Sequence, residues 1–172
     1  SLVGSEMCIR DRICIAAFWL LALYAIFQYF LGVTVLSGNS MRPALCHGDI
    51  LLYQRFGIRK PERGDVLIIR NGDGNGTVVA KRVIAVAGDT VSVDDYGHVT
   101  LNGMPLHEPE VLYGYQPGDE WIKFPVTLDE GTFFYLGDNR PVSMDSRNAT
   151  IAAGTMEEVQ GRVLSVFRLK PP

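Results

Sequence analysis

The chain has 172 residues, room for one anchor segment and one globular domain of roughly 130 residues around a single core, and too little for a multidomain enzyme. Its 16 Lys and Arg against 19 Asp and Glu give a formal net charge of -3, with both signs spread along the chain. No basic face of the kind that neutralises phosphates is expected, which excludes nucleic acid as a partner. Cys8, Cys14 and Cys46 have no metal-ligand spacing, so neither a metal, a cofactor nor a disulfide framework is expected.

Residues 1–12, SLVGSEMCIRDR, begin with Ser rather than Met and read as a leader, either foreign or cytoplasmic, on which no function rests. From Ile13 to Leu36 the sequence ICIAAFWLLALYAIFQYFLGVTVL runs about 24 residues without a charge, and at about 1.5 Å per residue this spans a hydrocarbon core of about 30 Å. A buried helix of a soluble domain needs a polar stripe, and only Gln28 interrupts this one. A cleaved signal peptide has an apolar region of about 7 to 15 residues, shorter than this. Residues 13–36 are therefore expected to be a transmembrane anchor and residues 37–172 the globular domain. Arg10 and Arg12 before the span face Arg42, Arg55 and Arg59 after it, so the count of positive charges sets no orientation.

Beyond Ser37 the apolar residues fall in short runs rich in Val, Ile, Thr, Tyr and Phe, separated by turn residues. Strands are expected at 50–53, 66–69, 77–85, 90–94, 98–101, 132–136 and 163–168, and one short helix at 152–159. Asn71 to Gly76, Asp94 to Gly97 and Asn102-Gly103 suit tight hairpins, because Asn, Asp and Gly tolerate positive φ. The fold class is mainly β, an antiparallel sheet or distorted barrel preceded by one transmembrane helix. NGDGNG at 71–76 lacks the GK[ST] of a phosphate loop and the distal Glu of a calcium loop, and reads as a turn.

Three segments carry chemistry. In SGNSM, Ser37 to Met41, small residues flank Ser40 just beyond the apolar span and let a substrate backbone approach its hydroxyl. In TVVAKRVIAV, Thr77 to Val86, two adjacent cations sit in an apolar strand. Side chains alternate across a strand, so Lys81 shares a face with Val79 and Val83, and Arg82 with Ala80 and Ile84. One charge must point to a buried face, and a buried Lys has its pKa lowered from about 10.4 toward that of a general base. Snorkelling of the amine to the strand edge is the competing reading. In GDNRPVSMDSR, Gly137 to Arg147, two Asp, two Arg and two Ser follow an apolar strand, a dense set of groups for orienting such an amine.

In order and spacing these segments resemble the type I signal peptidases, in particular the small Gram-positive type. SGNSMRPAL at Ser37 to Leu45 is similar to the nucleophile segment, RGDVL at Arg63 to Leu67 to a structural segment, KRVIAVAGD at Lys81 to Asp89 to the general-base segment, and GDNRPVSMDSR to the final signature. The resemblance runs from about Val35 to Arg168. It implies Ser40 as nucleophile, Lys81 as general base and Ser143 as the residue orienting the amine. It further implies that Asp145 and Arg147 brace the loop as an ion pair and that Asp138, Asn139 and Arg140 hold the strand end. Gly38 stands where some members carry a Ser that assists the oxyanion hole. Candidates for lining a shallow pocket for small residues are Leu36, Gly38, Met41, Leu45, Val79 and Ala80. The activity implied is removal of signal peptides from secretory preproteins after Ala-x-Ala by a Ser/Lys dyad. The implied setting is the cell membrane, crossed once, with the catalytic domain on the extracytoplasmic side. Membrane lipid and the protein-export translocon are the implied partners besides the preproteins.

Three other readings compete. His47, His98 and His107 allow a Ser/His/Asp protease, although each lies in a turn-like context. A self-cleaving repressor protease of Ser/Lys type carries a DNA-binding helical domain where this chain has an apolar span. A catalytically silent membrane-anchored β domain that binds a partner has no chemical reason to keep both Ser40 and Lys81.

Overall fold

The structure, a computed structural model, describes residues 2–70, 78–116 and 121–168, with side chains from residue 9 onward. A single long helix, α1 (Leu2–Phe30), opens the chain. Its segment Ile9–Phe30 is long and apolar enough to cross a membrane, and none of that window is buried against the rest of the protein. The helix stops six residues before the expected end of the span. Leu31–Val35 instead forms strand β1, because this β-branched stretch pairs in register with β2 (Ile50–Gln54), from Leu31 opposite Gln54 to Val35 opposite Ile50. The junction has no linker: the Arg55 amide donates to the Phe30 carbonyl at 2.8 Å, and the Phe56 ring meets Phe30 edge-on at 5.5 Å.

The rest of the described chain is mainly antiparallel β, as expected from the sequence. Strands β3 (Val66–Arg70), β4 (Val78–Val86), β5 (Thr90–Val93), β6 (Val99–Leu101), β7 (Met104–Pro105), β8 (Val126–Thr127), β9 (Thr132–Leu136), β10 (Gly154–Thr155) and β11 (Val159–Phe167) follow. One sheet has the order β1-β2-β11-β3-β4-β9-β10, and a second has the order β7-β6-β5-β8. The expected helix at 152–159 is absent. Its place is taken by β10, a 3-10 turn over Met156–Glu158 and the start of β11, which pairs with β3 from Val159 onward. The turn expected at 71–76, and Thr77, lie outside the described residues. The other two turns are present, with Asn102 and Gly103 at φ 52° and 81°, and the Gly97 amide donating to the Asp94 carbonyl at 2.9 Å.

The core divides into three clusters. Ile84, Ala85, Phe134 and Leu136 of the large sheet pack with Val91, Val93, Val99 and Leu101 of the small one. Leu67, Ile69, Val83, Phe133, Tyr135 and Ile151 form the second cluster, with Val79 packed against it. Met41, Leu45, Leu51, Tyr53, Ile68 and Ala80 form the third, beneath the loop that carries Ser40. Along β4, then, Val79 and Val83 serve one cluster while Ala80 and Ile84 serve the other two, the alternation expected from the pleat.

Asp89, in the turn between β4 and β5, ties the two sheets together. Its carboxylate accepts from the Val86 amide at 2.9 Å, from Asn102 Nδ2 at 2.9 Å and from both arms of the Arg63 guanidinium, with Nε at 2.9 Å. Burial pushes its pKa up, but Arg63 and the two amide donors outweigh it and hold the carboxyl below its ordinary value. Arg168 likewise lowers Asp49. Both groups therefore contribute stability that is complete above an unfolded pKa of about 3.9 and lost as pH falls through the folded values. Asp89→Ala is expected to destabilise the domain by about 2 kcal/mol and to flatten part of the acid-side loss, read from melting temperature against pH. A variant melting with the wild type at pH 7 contradicts the role given to Asp89.

Candidate active site

Ser40 sits on a loop fastened at both ends. The Leu36 amide donates to the Asp49 carbonyl at 2.8 Å and the Gly48 amide to the Leu36 carbonyl at 2.9 Å, closing the loop where β1 leaves and β2 begins. The Asp49 carboxylate receives the Cys46 amide at 2.8 Å and Arg168, just beyond β11, at 2.8 Å from Nη2. The same Nη2 reaches the Ala44 carbonyl at 3.0 Å. Met41 and Leu45, 1% and 4% exposed, point down into the core. They anchor the loop and line neither of the cavities that include Ser40, unlike the other residues expected in a pocket wall; their apolar side chains are on the inward side of the turn.

Lys81 is 2% exposed, and its Nζ donates to Ser143 Oγ at 2.8 Å. The amine has not snorkelled. Burial lowers its pKa from 10.5 to about 8; Asp145 and Asp138 act in the opposite direction, and Arg147 acts with burial. The neighbouring cation takes the other solution: Arg82 is a partly exposed guanidinium gripping Asp138 from two nitrogens at 2.8 and 2.7 Å.

Apart from Lys81 itself, the bonds to Ser143 come from the segment Gly137 to Arg147. Asp145 and Arg147, both about 1% exposed, form a two-pronged pair with Nε–Oδ1 at 2.8 Å and Nη2–Oδ2 at 3.0 Å. Asp145 also accepts the Gly137 amide at 3.1 Å, and Arg147 Nη2 donates to the carbonyls of Arg140 at 2.7 Å and Ser143 at 3.1 Å. The Asn139 amide donates to the Ser40 carbonyl at 2.9 Å and Asn139 Nδ2 to the Asn39 carbonyl at 3.1 Å, so this segment also fixes the Ser40 loop. Arg140, fully buried, bonds the Gly137 carbonyl at 3.0 Å, the Gly97 carbonyl, and Glu108 at 2.6 Å. It thus ties the end of β9 to the small-sheet region. Gly137 is required by close approach, since a Cβ there lands on Ser143 Oγ and the Ser40 carbonyl.

Ser40 and Lys81 line one cavity of about 540 Å³ with Gly38, Asn39, Arg42, Val79, Asn139, Val142 and Met144. A second cavity of about 130 Å³, which also includes Ser40, is walled by Thr34 to Ser37 on one side and Val78 to Ala80 on the other, over Leu51 and Ile68. Of the residues expected to line a pocket, Leu36, Gly38, Val79 and Ala80 border these cavities. Gly38 has φ +103°, so a Ser in its place is strained in this backbone, and its amide donates to His47 Nδ1 at 3.3 Å. No histidine lines either cavity. His98 instead pairs with Asp94 at 3.0 Å on an exposed part of the small sheet, and His107 lines a separate cavity with Arg63 and Arg82.

Several supporting residues were not singled out in the sequence. Glu108 and the Gly97 carbonyl hold Arg140 from segments 32 and 43 residues away, and no local pattern announces them. Ser146, fully buried, accepts the Tyr135 amide at 3.2 Å and is hidden by the Ser143 beside it. Asp49 and Arg168 are separated by 119 residues.

The sequence matches the family described as signal peptidase, peptidase S26, over residues 9–167. It is 32% identical over 142 residues to signal peptidase I P of Bacillus subtilis subsp. natto, covering 77% of this chain and 74% of that one. It is 35% identical over 123 residues to signal peptidase I of Bacillus licheniformis, covering 66% of this chain and 64% of that one. A solved signal peptidase I of Enterococcus faecalis V583 is similar at 31% identity and a TM-score of 0.49, over 63% of this chain and 100% of that one. The chain belongs to the signal peptidase family, peptidase S26, and is a serine peptidase.

Proposed function

We propose that this chain is a membrane-anchored endopeptidase that removes N-terminal signal peptides from exported preproteins, with Ser40 as nucleophile and Lys81 as general base. The observation that carries the reading is a buried amine, with a pKa near 8 and a fixed partner in Ser143, lining the same cavity as Ser40. Neutral Lys81 takes the Ser40 proton as Oγ attacks the scissile carbonyl, and returns it to the departing amine, the new N-terminus of the mature protein. Lys81 then takes a proton from water as its oxygen attacks the acyl carbon, and returns it to Ser40 Oγ as the ester bond breaks. The Ser40 amide is the donor assigned to the oxyanion. Ser143 orients Lys81, Asp145 and Arg147 brace Ser143, and Asp138, Asn139 and Arg140 secure the surrounding segments.

The substrate class follows from the strands around Ser40. β1 pairs only with β2, and β4 meets β9 only from Arg82 onward, so among the described residues the far edge of β1 and the Val78–Lys81 edge of β4 have no ladder partner. Two free edges facing across a cavity suit an extended peptide added as a strand. Alternate side chains of that peptide face the 130 Å³ cavity, which supports a motif read at alternate positions, as Ala-x-Ala is, with x turned away.

The apolar helix Ile9–Phe30, continuous with β1, supports an anchor that holds the cleft close to the lipid. Exposed Val33, Val35, Phe56, Val166 and Phe167 extend the apolar surface and support contact of the domain with lipid. The domain is assigned to the extracytoplasmic side, where signal peptides emerge from the export translocon.

Ser40→Ala, Lys81→Met and Lys81→Arg are each expected to lower preprotein cleavage by at least about 10⁴-fold while folding normally by circular dichroism, because nucleophile and base act as a unit. Wild-type kcat should rise with pH to a plateau through a limb near 8, the pKa of Lys81. Substantial turnover by folded Lys81→Met removes the Ser/Lys mechanism. Protease added to intact spheroplasts should digest the domain, and full protection reverses the orientation.

A further inference from the structure

Arg147 poses a problem that its hydrogen bonds do not solve. Its Nε and Nη2 are fully engaged by Asp145 and by the carbonyls of Arg140 and Ser143, whereas Nη1 is buried without a hydrogen-bond partner. A buried donor on a cation is costly to leave without an acceptor. The Trp121 ring lies against this guanidinium, with the Arg147 Cζ 4.9 Å from the ring centroid, where the negative face of the indole substitutes for the missing acceptor. The ring's place is fixed by backbone: Trp121 bridges to Asn148, and the Ile122 amide donates to the Arg147 carbonyl at 2.8 Å. Trp121 itself is only partly buried, so the ring stands between solvent and the pair beneath it.

We propose that Trp121 is a positioning residue for the base: its ring covers the Arg147 guanidinium, and through Arg147 it keeps the Ser143 hydroxyl on the Lys81 amine. The proposal rests on the reading of Ser40 and Lys81 as the dyad. Without the ring, water reaches Nη1 and the Asp145–Arg147 pair loses its dry setting. The Arg147 bond to the Ser143 carbonyl then loosens, and Ser143 Oγ drifts from Nζ. The charges facing Lys81 are Asp145 and Asp138, which favour the ammonium, and Arg147, which opposes it; burial outweighs them all. Admitting water weakens burial first, so the Lys81 pKa moves up from about 8 and the acid limb of kcat moves to higher pH.

The test uses full-length, detergent-solubilised Trp121→Leu and Trp121→Phe enzymes, with kcat and KM measured against pH on a preprotein and circular dichroism as the folding control. Leu keeps an apolar cover without a π face, and Phe keeps the face. The Leu variant should lose about tenfold in kcat at pH 7 with KM little changed and its acid limb displaced upward, and Phe should restore most of the rate and the wild-type limb. A folded Leu variant with the wild-type pH profile, or a Phe variant as impaired as Leu, overturns the proposal. If Leu does not fold, Trp121→Met, also an apolar cover without a π face, takes its place with the same outcomes, and a displaced limb in the Phe variant overturns the proposal in either case. Lys81→Met measured in parallel separates the two readings. If it turns over, the dyad falls and this proposal with it; if it is dead while the Leu profile is undisturbed, only the role of Trp121 falls.

Discussion

An amine 2% exposed inside a β-sheet is the constraint around which this domain is arranged. A charged ammonium there carries a large desolvation penalty, and a strand offers no backbone acceptor on its side-chain face to relieve it. The chain meets this with one hydroxyl, Ser143, and with a segment that holds that hydroxyl in place through backbone and side-chain bonds. Buried ion pairs such as Asp145–Arg147 contribute little net stability over apolar packing but are expensive to break, so they serve geometry better than they serve folding. The density of charge in an 11-residue stretch follows from that use.

The same segment couples the two halves of the site. Asn139 and Asn39 link it to the Ser40 loop, Asp138 links it to Arg82 next to Lys81, and Arg140 links it to Gly97 and Glu108 beside the small sheet. Ser40 and Lys81 therefore share one support rather than two independent ones. The small sheet backs that support: its packing on Ile84, Phe134 and Leu136 fixes the strands that deliver Lys81 and Gly137.

Much of this was legible in the sequence, and the failures have physical causes. Strands such as Thr132–Leu136 and Thr90–Val93 announce themselves by β-branched and aromatic runs between turn residues. The alternation along β4 placed Lys81 with Val79 and Val83, and the structure leaves the amine buried. β1 was hidden because LGVTV is apolar enough to continue the span, although its β-branched residues favour a strand and its partner lies about 20 residues ahead. β7, β8 and β10 are two residues long and exist only through tertiary pairing. Met41 and Leu45 were expected in the pocket wall and are buried instead, because the direction of a loop side chain is set by the core beneath it. Trp121 meets Arg147, and Glu108 meets Arg140, from distant segments, which no local spacing reveals.

The direct junction of α1 and β1 places the Ser40 loop only a strand's length from the end of the apolar helix, so the cleft stays close to that helix. The proposed chemistry in that cleft depends on a neutral amine acting on one hydroxyl. The rate at which a serine-directed acylating inhibitor modifies Ser40, followed by mass spectrometry across pH 6 to 10, tests this dependence without a preprotein. The wild-type rate is expected to rise through a single limb near 8, set by Lys81, and the limb should vanish with nearly all labelling in the Lys81→Met enzyme. Labelling of Ser40 that proceeds equally fast in both enzymes, with the same pH profile, contradicts the account.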